Sequence, residues 1–229
     1  MDHILDNMIW NAITTGNNDI AFIDGDVGCY LPDIAPFAGM KDFNDINLKK
    51  LHDFIPIDRS VASSSLDKMD HDESRWKLLQ PMDVTQMVYE HTVNSFTTKN
   101  SPLIVPLSEE HIPQMIELTV LTRPGPFLQQ TIRFKNYFGI FIEGQLAAMT
   151  GQRMHPRPYM EVSAVCTHPD FRGMGYAKSL MLHVMKIILD NSFTPFLHVL
   201  SNNINAIELY KTIGFRTRKQ IFVDMIRRL

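Results

Sequence analysis

Apolar residues recur along the chain at two periods, and the switches between them mark its elements. Leu5, Met8, Ile9 and Ile13 fall on one face of a helix predicted over about residues 2–14. Gly16-Asn-Asn-Asp19 is its predicted stop, because Gly and Asn accept the left-handed conformation at a helix C-terminus. Alternation then takes over: residues 20–23 and 27–31 predict a hairpin across Asp24-Gly25-Asp26. Residues 32–39 read as a loop, 47–54 as a short helix and 60–66 as a strand. Residues 82–91 fit a helix or a strand equally.

A polar stretch, Thr97-Thr-Lys-Asn-Ser-Pro102, divides the chain into an α+β block at 1–98 and a second block at 103–229. The second block opens with a short strand at 103–106. Ser108 is a helix N-cap, with Glu109 and Glu110 near the positive end of a helix running to about residue 121. Residues 137–142 and 146–152 form a hairpin around Glu143-Gly144-Gln145, followed by a strand at 160–167. A long helix at 175–190 buries Leu180, Met181, Val184, Ile187 and Ile188. A strand at 196–200, a helix at 205–212 and a strand at 215–225 complete a mixed α/β pattern.

Composition narrows the function classes. At 229 residues the chain builds one large core or two small ones without a disulfide or metal staple. A net charge of -3 supplies no basic field for nucleic acid. Two cysteines, Cys29 and Cys166, fit a reducing compartment. The start, Met1-Asp-His-Ile-Leu-Asp, lacks a basic segment followed by an apolar one, so no signal peptide is expected. The apolar run around 180–189 is broken by His183 and Lys186 and is too short to span a bilayer. A cytoplasmic protein without nucleic-acid or membrane partners is expected. His155, Cys166 and His168 lack metal-ligand spacing, and the aromatic run at 134–141 reads as core rather than a stacking platform.

The chemistry concentrates in Pro169-Asp-Phe-Arg-Gly-Met-Gly-Tyr-Ala177, a turn between a strand and a helix. Its glycines let backbone approach a ligand, and the helix start offers unpaired N–H groups and a positive dipole end. Together with Arg172 these make a nest for a pyrophosphate. A dinucleotide fingerprint would need Gly or Ala in place of Lys178, and a Walker loop would need glycines at Arg172 and Ala177. Both fail. Two glycines alone fit equally well a turn that merely starts a helix.

Neighbouring residues decide between these. Arg172-x-x-Gly175-x-Ala177 resembles the Q/R-x-x-G-x-G/A motif of the GCN5-related N-acetyltransferases, the GNAT superfamily. Asn203-Ile-Asn-Ala206-Ile-Glu-Leu209-Tyr210-Lys-Thr-Ile-Gly214-Phe215 resembles that family's second signature. The likeness covers about residues 103–229 and is strongest to FR47-like members, through Leu121-Thr-Arg-Pro-Gly-Pro-Phe127 and Ala164-Val-Cys-Thr-His-Pro169. Residues around Pro32-Asp-Ile-Ala-Pro-Phe37 are also similar to the N-terminal part of some such proteins.

The resemblance implies a GNAT fold, a mixed central sheet flanked by helices. The N-terminal helix–hairpin–helix order resembles a degenerate half of the same fold, placed to extend the sheet or cover the acceptor cleft. It implies acetyl-CoA as acyl donor, direct attack by an amine acceptor in a ternary complex, and no metal. Val165 and Thr167 would pair with the pantetheine arm, with Cys166 between them pointing to the opposite side. The amides of Arg172, Gly173, Met174, Gly175, Tyr176 and Ala177 would hold the pyrophosphate, and Asn203 would contact the pantetheine. Tyr210 matches the family's tyrosine near the thioester sulfur, the proton donor to the leaving thiolate; its plainer reading is a phenol capping a packed helix. Glutamates of the family stand on either of two strands beside the thioester, positions held here by His198 and Glu161. Either is a candidate base; a core histidine and a solvent-facing glutamate are the plainer readings. Arg123 lies in the stretch where the family lines its acceptor pocket and is either an anion contact or an ordinary surface arginine. The alternatives to catalysis by acetyl transfer are an inactive acyl-CoA-binding regulatory module and an acyltransferase using a longer chain. A monomer and a homodimer are both compatible with the sequence.

Overall fold

The computed structural model describes residues 3–68, 72–90 and 102–229. A single 3-10 turn, Ile4–Asn7, runs into α1 (Met8–Thr14), its start capped by the His3 ring accepting from the Leu5 N–H. β1 (Ala21–Asp24), β2 (Val27–Tyr30) and β3 (Ala38–Met40) form a small antiparallel sheet, with Gly25 at φ 58° in the first turn. β3 begins inside the stretch at 32–39 read as a loop and ends just past it; Ala38, Gly39 and Met40 are too short a run for periodicity to reveal. Asn44 caps α2 (Asp45–Phe54) by accepting from the Asn47 N–H. Next come β4 (Ser60–Ser65) and β5 (Trp76–Tyr89).

The second half runs β6 (Val105–Pro106), α3 (Ile112–Thr122), β7 (Phe138–Ile142), β8 (Gln145–Gln152) and β9 (Tyr159–Thr167). It continues through α4 (Tyr176–Asp190), β10 (Thr194–Leu200), α5 (Ile204–Ile213) and β11 (Phe215–Arg228). The polar stretch at 97–101 lies outside the described residues.

Eight strands form one mixed sheet in the order β4-β11-β5-β10-β9-β8-β7-β6. Strands from both halves of the sequence therefore alternate. The ambiguous stretch is a strand from 82 to 89 because both edges of β5 are paired: Val88 faces Phe196 of β10 and Arg216 of β11. Among the described strands, β9 and β10 are the one parallel pair of this sheet, joined through α4 as a parallel crossover requires.

Two cores sandwich the sheet. On one face, Leu5, Ile9 and Ile13 of the N-terminal segment pack with Tyr30, Phe37, Met115 and Leu118. On the other, Met181, Val184, Met185 and Ile188 of α4 pack with Val162, Leu197, Tyr210 and Phe215. Each such side chain contributes about 1.5–3 kcal/mol when fully buried. Ile187, expected in that stripe, is half-buried, and Met185 takes its place. Among the described residues no helix is long and apolar enough to cross a membrane.

Gly16 differs from its expected role. It is not left-handed; it is small because a Cβ there would lie 2.3 Å from both Cγ and the carbonyl oxygen of His155. The two halves touch at this point, and Gly16 N–H donates to that same carbonyl. Gly16→Ala is expected to lower stability by about 1–3 kcal/mol, the usual cost of overpacking. Urea unfolding measures it; a change below about 0.5 kcal/mol would show that the contact relaxes freely.

Candidate active site

β9 and β10 pair at three rungs, Tyr159 with Thr194, Met160 with Pro195 and Glu161 with Phe196. Beyond Glu161 both strands continue, β9 to Thr167 beside β8 and β10 to Leu200 beside β5, with no ladder between them. A wedge opens, and residues 162–167 form one wall. Within that wall β9 has two residues, Ala164 and Val165, where β8 has one between Gly151 and Met149. Ala164 absorbs the extra residue at φ 53°, a left-handed conformation costing a non-glycine residue about 1–3 kcal/mol. The bulge reverses the alternation. Val162 and Val165 join the α4 core, while Ala164 and Cys166 face the other side. Burial pushes the Cys166 thiol up to about 12, so it stays protonated at neutral pH.

At the open end of the wedge, β9 leads through a 3-10 turn, Pro169–Phe171, to Gly173 at φ 79° and Gly175 at φ 77°, which caps α4. A Cβ at either glycine would meet no atom within 4 Å, so backbone conformation rather than crowding selects glycine here. The first hydrogen bond of α4 runs from Ser179 N–H to the Gly175 carbonyl, leaving the amides of Tyr176, Ala177 and Lys178 without helical partners. Arg172, Gly173, Met174 and Gly175 are exposed, and Tyr176 and Ala177 are half-buried. An anion placed here would meet those amides, the positive end of α4 and the Arg172 guanidinium.

α5 stands over the same side as Val165. Exposed Asn203 caps it, its Oδ1 accepting from the Ala206 N–H at 3.2 Å. Tyr210, in the last turn, is buried with its ring edge-on to Phe215 at 6.3 Å. Its hydroxyl makes no hydrogen bond among the described residues. Burial, reinforced by the nearby Cys166 thiol, raises the phenol to about 12.

At the closed end lies a polar network. Glu161 is fully buried and accepts four hydrogen bonds. Oε1 accepts from Arg153 Nη2 at 2.6 Å and His198 Nδ1 at 2.7 Å; Oε2 accepts from Arg153 Nε at 2.8 Å and the Met154 N–H at 3.2 Å. Burial acts to raise the carboxyl, but the Arg153 charge and the bonds from Arg153 and His198 overcome it and hold Glu161 well below the usual carboxylate range. The other ring nitrogen of His198, Nε2, lies 3.0 Å from Gln86 Nε2, which also donates to the Leu5 carbonyl. Gln86 Oε1 accepts from Arg218, itself paired with Asp6. That chain fixes the Gln86 amide nitrogen toward His198, and hence a proton on Nδ1. Neither Glu161 nor His198 presents a free acceptor atom to a substrate in this geometry.

Arg123 is exposed and caps α3 in the left-handed conformation. Beside it, residues 124–127 border a recess also lined by Tyr137, Arg153, Ser163 and Ala164. Sequence reasoning passed over Arg153 and Gln86 and read Tyr137 as one of a run of core aromatics. No motif marks any of the three. Among the described residues no group of three or more His, Cys, Asp or Glu converges as metal ligands.

A family model described as FR47-like protein matches residues 137–223. No curated protein matches the chain. Among solved structures, a GNAT-family protein from Novosphingobium aromaticivorans DSM 12444 is 30% identical, with 100% of each chain covered and a TM-score of 0.91. An acetyltransferase from the GNAT family of Colwellia psychrerythraea is 14% identical over 90% of this chain and 84% of its own, with a TM-score of 0.54. A functionally unknown conserved protein from Staphylococcus epidermidis ATCC 12228 is 12% identical over 91% and 93% of the two chains, with a TM-score of 0.59. All three cover the N-terminal half as well; the last two share the fold, and the first is alike in sequence too.

Removing the Glu161 charge leaves Arg153 buried without its partner, so Glu161→Gln is expected to cost about 3–5 kcal/mol. The folded carboxyl titrates below its unfolded value of about 4.3, so its stabilisation is complete above that pH and drains away as pH falls below it. Wild-type unfolding free energy should therefore decline with acid below about pH 4, and Glu161→Gln should decline less steeply. Parallel slopes in the two proteins would remove this assignment.

Proposed function

From its membership of the GNAT family, to which this chain belongs, we propose that it transfers an acetyl group from acetyl-CoA to an amine by direct attack in a ternary complex. The observation that carries this reading is the wedge between β9 and β10, with an anion-ready helix start at its mouth and on its flank the Tyr210 hydroxyl, without a hydrogen bond among the described residues. These residues fit a long, pyrophosphate-bearing thioester. When bound, acetyl-CoA supplies an activated acyl carbon and a thiol leaving group.

The chain's own residues then divide the work. The amides from Arg172 to Ala177, with the Arg172 charge, hold the pyrophosphate. Val165 and Thr167, on the edge of β9 that β10 has left, offer backbone groups to the pantetheine arm, and Cys166 points away from it. N–H groups on that edge are already oriented for the oxygen on which negative charge gathers. Asn203 holds the start of α5 and, beside the pantetheine, keeps Tyr210 in register. The Tyr210 phenol retains its proton far above neutral pH and delivers it to sulfur as the C–S bond breaks. As the N–C bond forms, the attacking nitrogen loses a proton, which passes to the tyrosinate left by that delivery and restores the Tyr210 phenol. His198 and Glu161, with every polar atom engaged, act as positioning residues at the vertex, and the amine enters uncharged.

Free-thiol release from acetyl-CoA across an amine panel tests the reading; a protein that binds CoA and releases no thiol with any amine is a regulatory module. Longer acyl donors run beside acetyl-CoA set the chain length. Tyr210→Phe is expected to lower kcat by about 10²–10³ while KM for acetyl-CoA stays within about threefold. An unchanged kcat would remove the proton donor. Arg172→Ala is expected to weaken CoA about tenfold by calorimetry, the scale of one charge-assisted contact to phosphate. Equal affinity in both proteins would move the pyrophosphate elsewhere.

A further inference from the structure

β1 is an edge of the small sheet and is paired on one side only, with β2. In an antiparallel ladder each residue turns its N–H and C=O to the same side, and successive residues alternate. The Tyr30 N–H donates to the Phe37 carbonyl on the β3 side, and the Leu31 N–H donates to the Ile20 carbonyl on the other. Cys29 and Val27 therefore turn toward β1, and their partners Phe22 and Asp24 turn toward them. That leaves Ala21 and Ile23 facing outward, with two N–H donors and two carbonyl acceptors that make no hydrogen bond among the described residues.

The other sheet edges are closed or guarded, as edges in monomeric proteins generally are. β3 is buried along its length, and β4 gives its Ala62 N–H to the Pro36 carbonyl. β6 is two residues ending in Pro106, and the part of β5 that overhangs β10 carries Pro81 and a bulge. β1 has no proline, no bulge and no covering segment among the described residues. Phe22 is instead 54% exposed and Ile23 43%, on opposite faces of the strand. Phe22 and Asp24 lie on the face that carries α2, and an open groove runs from Asp24 along Lys49, Lys50 and Asp53 of that helix.

We propose that β1 pairs antiparallel with β1 of a second copy of this chain, about a two-fold axis at Phe22, joining the two small sheets into one of six strands. Reversal about Phe22 sets Ala21 opposite Ile23 of the copy, so every outward donor meets an acceptor and four hydrogen bonds form. The edge is no longer than this: Gly25 turns it at one end and the 3-10 turn Asn18–Ile20 bends it at the other. A longer extended peptide finds nothing more to pair with, whereas the chain's own reversed edge matches it residue for residue. Phe22 then faces its own copy in the close, non-hydrogen-bonded pair, aromatic against aromatic. Strands about 4.8 Å apart put β2 about 14 Å from the copy's β2, so the α2 helices above them, about 10 Å thick, clear each other over the two rings. The charges along the groove, Asp24 and Asp53 with Lys49 and Lys50, sum to zero. Two copies therefore approach without repulsion, each offering both signs. The proposal stands whether or not the chain transfers acetyl groups.

Sedimentation velocity of the full chain over about 2–500 μM tests this; an edge so short makes a small interface, and dimer should reach half of the protein by about 100 μM. Phe22→Lys and Ile23→Lys each put a charge on the edge and should sediment as monomers throughout, with thermal unfolding at the lowest concentration unchanged. Phe22→Cys reads the register directly. Directly opposite Cβ atoms about 4.5–5.5 Å apart lie within disulfide reach, so air oxidation at about 200 μM should give a covalent dimer. Val120→Cys, 70% exposed on α3, should not cross-link, and the native Cys29 and Cys166 are buried. A monomer at every concentration overturns the inference and leaves the edge to some other partner. A dimer indifferent to both lysines, or Phe22→Cys cross-linking no faster than the α3 control, overturns it as well.

Discussion

Glu161 sits at the last rung before β9 and β10 part, a carboxylate with no exposed surface. An unpaired ion in that position would cost several kcal/mol, so the fold must bring four donors to it. They come from the connection after β8, through Arg153 and Met154, and from His198 of β10. A slip of one residue in β9 would turn Glu161 to the α4 face and leave Arg153 alone on the other. The pairing register, and with it the place where the wedge opens, follows from this one charge. His198 passes the constraint to Gln86, and Arg218 passes it on to Asp6 in the first turn of the chain.

Most elements were readable from periodicity because each packs one face on a core. α4 and the β7–β8 hairpin fall within a residue or two of their expected limits. The stretch at 82–91 resisted for a physical reason. Residues of β5 are covered on both faces near Met87 and Val88, so neither period dominates. Gly16 misled because glycine serves both backbone freedom and close approach, and the letter alone does not say which. Topology was least legible: nothing local marks β5 as the strand that enters between β10 and β11.

The same division runs through the candidate site. The proposed cofactor groups leave spelling in the sequence, since positive φ selects glycine at 173 and 175 and a cap selects Asn203. The polar groups around the recess are side chains drawn from distant elements, so no spacing connects Arg153 with Tyr137. Glu161 was singled out for chemistry, but its environment turns on Arg153, whose partnership spans eight residues and a cis Arg157–Pro158 bond that no periodicity marks. The N-terminal half likewise reaches the site through unmarked contacts, Phe37 on Arg153 and Ile34 under Thr131.

The place of β5 also bears on how the chain is made. A ribosome releases β4 and β5 early, yet the strands that pair with them, β10 and β11, occupy the last stretch of the chain. Through most of synthesis β5 has two open edges, and Met87 and Val88 have no finished core. The native sheet closes only after residues near 228 emerge, so its completion waits on contacts of high sequence separation. Nascent β5 is therefore the segment with most to gain from a chaperone.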